Sequence, residues 1–138
     1  MSVSVYINLP VADVKRSRDF FAKLGFGFDD RFSDETALAI NVSDTIHAML
    51  LTREKFASFT PRKVADAHNA SEVLVALQLD SREAVDSMTG AALANGGNHV
   101  REAEDHGFMY GRAFADPDGH IWEPFWMDPA QMPEKDRA

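Results

Sequence analysis

The 138-residue chain contains no cysteine. Disulfides, thiolate nucleophiles and cysteine-ligated zinc are therefore excluded, which fits a reducing compartment. Basic charge is also scarce: 14 Lys and Arg stand against 22 Asp and Glu, a formal net charge of -8. Such a field repels phosphate backbones, and the basic residues form no stripe, so nucleic acid is not an expected partner. Long apolar runs are missing too. The longest, such as "VLVAL", cannot span a bilayer, and "MSVSVYINLPVAD" places no basic stretch ahead of an apolar one. A cytoplasmic protein without membrane contact is the expectation. What remains is 45% hydrophobic and 26% charged residues, enough for a well-packed core in one domain.

Two halves of the chain spell the same order of elements. "VSVYINL" (3–9) alternates as a strand does, with Pro10 closing it, and Asp13 stands at the N-cap of "VKRSRDFFAKLG". Val14, Phe20, Phe21 and Leu24 recur near helical spacing, and Gly25 marks the helix end. Short strands are expected at 26–32, 36–42 and 45–52. In the second half "EVLVALQLD" (72–80) reads as a strand, and Asp80 or Ser81 caps a helix over 81–95 ending at Gly96-Gly97. Strands near 98–101, 109–115 and 121–126 follow. The economical explanation is an internal duplication, strand–helix–strand–strand–strand twice over. Modules at 3–59 and 72–127 are then joined by a polar linker at 60–71 that could cover a pocket, and 128–138 form a loose tail. The aromatics Phe20, Phe21, Phe26 and Phe28 are read as core.

Near the end of the chain, "DPDG" opens into "HIWEPFW", an aromatic run carrying one carboxylate, Glu123. Pro at the second position and Gly at the fourth fit a type I turn. With "INLPVADVKRSRDFFAKLGF" at the front and "MYGRAFADPDGHIWEPFWMD" at the back, the chain resembles the vicinal oxygen chelate superfamily of glyoxalases, bleomycin-resistance proteins and extradiol dioxygenases. Together with "MLLTREKF", the closing motif is similar to the glyoxalase-like group labelled predicted lactoylglutathione lyase. The resemblance spans roughly residues 3–127. It implies an α+β fold of two tandem βαβββ modules whose mixed sheet curls around a cleft, commonly in a homodimer.

The resemblance also implies four inward-facing metal-ligand positions, which fall at Tyr6, Leu50, Leu74 and Glu123. One carboxylate with two leucines cannot hold a divalent ion, so no metal and no cofactor is expected. A slip of one residue to Met49 or Leu51 supplies no hard donor. His47 and His120 lie an odd number of residues from Leu50 and Glu123, and so face away from them on regular strands. His68, His99 and His106 fall in the linker or in turns. The expected ligand is a small, partly apolar molecule, with Glu123 suited to general acid or base work. Its partner is expected to be Tyr6 or Arg112. Asn8 shares the face of Tyr6, and Gln78 that of Leu74, so both amides could orient a ligand. Tyr110 and Arg112 share a face continued by Phe114, and Phe125 adds an aromatic wall. Sequestration, as in the bleomycin-resistance proteins, or a metal-free lyase-like or isomerase-like reaction is the leading reading. A metal-dependent lyase or dioxygenase with an unusual ligand set, and a non-enzymatic interaction protein, are the alternatives.

Overall fold

Asp13 begins the first helix as its type suggests: the side chain accepts a hydrogen bond from the Arg16 N–H at 3.1 Å, satisfying an otherwise orphaned donor. The helix, α1, runs Val14–Lys23 and buries Ser17, Phe20 and Phe21. In the computed structural model, which describes residues 2–131, the chain divides into two units at Ala70–Ser71.

In the first unit β1 (Val5–Val11), β2 (Gly27–Phe28), β3 (Ala37–Asn41) and β4 (Ile46–Thr52) form one sheet in the order β1-β4-β3-β2. β1 and β4 are parallel, and the other pairs are antiparallel. Leu9, Val11, Leu38, Ile40, Ala48 and Leu50 face α1 and make the core with Phe20 and Phe21. Two sequence expectations are corrected. Pro10 does not close β1, which continues to Val11; on an edge strand its missing N–H costs no ladder bond to a second neighbour. The strand expected over 26–32 shrinks to two residues, because Asp29 caps the Arg31 N–H at 3.1 Å and starts a 3-10 turn over Asp30–Phe32. A short helix, α2 (Arg53–Ala57), follows β4, capped by Thr52. The linker 60–71 has no helix or strand, and Arg53 donates to its Ala65 and Val64 carbonyls at 3.2 and 3.3 Å.

The second unit repeats that topology. β5 (Leu74–Gln78) leads to α3 (Arg82–Ala94), capped by Ser81, whose hydroxyl accepts from the Ala84 N–H at 3.0 Å. Gly96 takes the left-handed conformation (φ 107°) that ends the helix. A Cβ on Gly97 would sit 2.7 Å from the Ala92 carbonyl oxygen and 2.9 Å from that of Ala115, so glycine alone permits this close turn into the sheet. β10 (Ile121–Met127) is central. It pairs with β5 in parallel and with two collinear antiparallel pieces, β8 (Met109–Gly111) and β9 (Phe114–Ala115). β9 pairs onward with β6 (Asn98–His99), and β8 with β7 (Glu104–Asp105).

Pro124 explains why those outer strands come in pieces. Arg112 donates its N–H to the Pro124 carbonyl at 3.0 Å, but proline has no N–H to return, so the ladder lapses between β8 and β9. Residues 100–103 bulge out beside that lapse. The expected tail begins with a 3-10 turn over Pro129–Gln131, and its remainder, 132–138, lies outside the described residues.

Candidate functional site

Alternation along β10 sends Trp122 and Pro124 toward α3, where both are buried, and Ile121, Glu123 and Phe125 to the open face. The parallel register sets Ile121 beside Leu74, Glu123 beside Ala76 and Phe125 beside Gln78. On the other side Phe125 meets Gly111 and Ile121 meets Ala115, so Ala113 flanks Glu123. Leu74, Gln78, Glu123 and Phe125 thus share one face, floored by small residues.

Glu123, with 21% of its side chain exposed, accepts from Arg101 Nη2 at 2.9 Å. Arg101 comes from the 100–103 bulge and reaches Glu123 from the far side of β8 and β9, across the small Ala113. Its Nε lies 3.6 Å from Glu104 Oε1, and Glu104 in turn has His106 Nε2 at 3.6 Å. Arg101 Nη1 is shut off from solvent with no hydrogen-bond partner among the described residues. Sequence reasoning missed Arg101. Its signal is indirect, since only the proline-induced lapse opposite residues 100–103 frees it to cross the sheet.

The register overturns the expectation that Tyr110 and Arg112 face the same side as Glu123. Tyr110 pairs with Trp126, and Arg112 lies opposite Pro124, so both turn toward α3 with the fully buried Phe114. The Tyr110 hydroxyl donates to Asp86 Oδ1 at 2.6 Å and Arg112 Nη1 to the same oxygen at 3.0 Å. These donors, Tyr110 first, hold the Asp86 carboxyl below its ordinary range, and the same bond pushes the Tyr110 phenol up. Arg82 lies over the Tyr110 and Trp126 rings and forks onto Asp105 at 2.8 and 2.9 Å. These residues tie the helix to the sheet, and Arg112 is not the cation on Glu123.

Leu50 is corrected on the same ground. It pairs with Leu9 and is 0% exposed against α1, so it shares no face with Tyr6. The face of the first unit's sheet away from α1 carries Tyr6, Asn8 and Pro10, then His47, Met49 and the buried Leu51, then Asn41 and the buried Ala39 and Ala37. Tyr6, 57% exposed, stacks on His47 with ring centroids 4.5 Å apart and 14° between planes. His47 Nδ1 lies 3.0 Å from Asn41 Oδ1. His47 faces away from Leu50, as strand parity requires, but Leu50 is a core leucine and His47 sits with Tyr6. Of the other histidines, His120 is buried in the DPDG turn, whereas His99 and His106 are exposed beside Glu102 and Glu104.

The donor set does not fit a divalent ion. Beside Glu123 the open face offers Leu74, Ala76 and Ala113, and the carboxylate is already engaged by a guanidinium, which repels a second cation. Among the described residues no three His, Asp or Glu side chains converge. A cavity of about 410 Å³ lies elsewhere in the first unit, lined by Asp13, Arg18, Asp30, Asp34 and Glu35 among others, and holds none of the expected site residues.

The family model of the Glyoxalase/Bleomycin resistance protein/Dioxygenase superfamily matches residues 4–123. The chain belongs to this superfamily. Solved structures share the fold of this superfamily member. A hypothetical protein from S. aureus is 25% identical with a TM-score of 0.78, over 91% of this chain and 95% of that one. A glyoxalase-related enzyme from Fulvimarina pelagi is 19% identical with a TM-score of 0.77, over 91% and 88%. A bleomycin-binding protein complexed with bleomycin is 19% identical with a TM-score of 0.60, over 91% and 98%. No curated protein matches. Among the described residues, no helix is long and apolar enough to cross a membrane.

Proposed function

We propose that the protein binds a small, partly apolar molecule on the open sheet face of its second unit, with Glu123 and Arg101 as the polar fixture and no divalent metal. The observation that carries this reading is an ion pair set among apolar groups on an uncovered face. Leu74 is 55% exposed there, flanked by Ile121 and Ala76, and Phe125 adds an aromatic wall beside Gln78. Apolar surface with a few placed polar groups is the usual make-up of a small-molecule site. The bleomycin complex of a protein with the same fold supports such a role. Glu123 is the group in this site able to move a proton, so a lyase-like or isomerase-like reaction would run through it. In this reading the protein acts as a cytoplasmic homodimer.

Titration calorimetry against bleomycin and a panel of small apolar ketones, amides and acids should find saturable binding at one site per chain. Glu123→Gln should weaken it about tenfold, the scale of one charge-assisted hydrogen bond. Elemental analysis should meanwhile find only background metal. A panel without saturable binding would overturn the reading, as would one equivalent of zinc, nickel, iron or manganese per chain that is lost in Glu123→Gln.

A further inference from the structure

We infer that the ligand of this site carries a protonated amine on a short apolar body, and that the ammonium donates to Glu123 Oε1. The inference rests on the proposed small-molecule site and names the chemistry that site selects. An ionised carboxylate only accepts hydrogen bonds, and a guanidinium only donates them. Arg101 Nη2 donates to Glu123 Oε2 at 2.9 Å, and the other carboxylate oxygen accepts nothing among the described residues. That oxygen is within reach. Glu123 keeps 21% of its side chain exposed, and the one side-chain polar atom both sealed from solvent and without a partner among the described residues is Arg101 Nη1, not Glu123 Oε1. The open face therefore offers a free acceptor, held in place by its ion pair, and what it takes is a donor.

Charge decides which donor. Glu123 and Glu104 face the single positive charge of Arg101, so this cluster carries one negative charge in excess. A cation relieves that excess through a hydrogen bond charged on both partners. A carboxylate ligand meets repulsion, and a ketone has no proton to donate. The openness of the face suits an ammonium for a second reason. One N–H turns to Glu123 while the others stay in water, so the ion is not stripped of its hydration. Nor does the body need an enclosed cavity. Leu74, Ala76 and Gln78 lie exposed in a row on β5, and Ile121 and Phe125 flank Glu123 on the same face, so a body the size of one aromatic ring finds apolar contact there.

Five one-ring fragments test the assignment: benzylamine, benzyl alcohol, acetophenone, benzoate and ethylbenzene, titrated by two-dimensional NMR. At about pH 8 and ~0.15 M salt the amine is charged, imidazoles are neutral, and the overall negative charge of the chain is screened. Benzylamine should bind with saturation, shift the Leu74 methyl and the Ala76 and Glu123 amide resonances, and exceed each other fragment by about tenfold. Glu123→Gln keeps the shape without the charge; it should bring benzylamine to within about threefold of ethylbenzene and leave ethylbenzene unchanged. Backbone spectra check that the variant folds, and Glu35→Gln, in the acidic cavity of the first unit, should leave benzylamine binding as it was. Benzyl alcohol equal to benzylamine, acetophenone or benzoate binding tightest, benzylamine shifts confined to that cavity, or indifference to Glu123→Gln each overturns the amine assignment. Silence from all five fragments while bleomycin or the panel binds overturns it too, and leaves the small-molecule site standing. Silence from every compound overturns both readings.

Discussion

Asp116 shows how one residue can fix the site without touching it. The side chain, 1% exposed, accepts from the backbone N–H groups of Asp118 and His120 at 2.9 and 3.0 Å and from Trp122 Nε1 at 3.1 Å. Burial pushes its carboxyl up, while His120 and the Trp122 N–H pull the other way. The DPDG turn is thus stapled to the first residues of β10, and the staple sets where Glu123 begins its turn onto the open face. Asp116→Ala leaves a buried indole N–H without its acceptor and loosens two backbone donors. The expected loss is about 2–4 kcal/mol in denaturant unfolding, and about 1 kcal/mol or less for the exposed, solvent-facing Lys15→Ala as control.

At the scale of elements, α3 is held to its sheet by charge as well as by packing. Val85, Thr89 and Ala92 are buried, and Asp86 and Arg82 bond Tyr110, Arg112 and Asp105. Arg82 and the Gly107 N–H hold the Asp105 carboxyl well below its usual range, as Tyr110 and Arg112 hold that of Asp86. Carboxyls lowered in the folded state contribute stability above the unfolded value of roughly 4, and lose it as pH falls through the folded values. Both side chains are about half exposed, so the contribution is modest and screened by salt. The double variant Asp86→Asn, Asp105→Asn should therefore melt lower than the parent by a constant margin above about pH 5, and the margin should narrow steadily as pH falls below about 4 toward the lowered folded values. Thermal melts across that range decide it, and a margin that widens on acidification would count against this account.

For the whole molecule, β1 and β5 each end a sheet, with one edge unpaired within their own units. Val3, Val5 and Tyr6 are exposed along the first, with Ile46 of β4 beside Val5, and Val73 and Leu74 along the second. Edges and apolar surface of this kind are commonly covered by association. Sedimentation at micromolar concentration is expected to show a species of twice 15.3 kDa. A stable dimer should bury more than about 1,000 Å² in total. Monomer alone at that concentration would defeat the expectation.

Much of this was legible in the residues because it is local. Caps at Asp13 and Ser81, the glycines after each helix, and the repeated order of elements depend on a few neighbours in sequence, and the superfamily follows from them and from "DPDGHIWEPF". The placing of Glu123 with Leu74, Gln78 and Phe125 on one face also needed only period-two alternation and one parallel pairing. Alternation says which residues of one strand agree, but not which face of a neighbour they meet. A register one residue away sends Leu50, Tyr110 and Arg112 into the helix-facing layer, and the sequence carries no local mark of that step. Arg101 lay further still from view. Its approach to Glu123 follows from a missing proline N–H two strands away, and such a non-local consequence is decided only when the sheet is assembled.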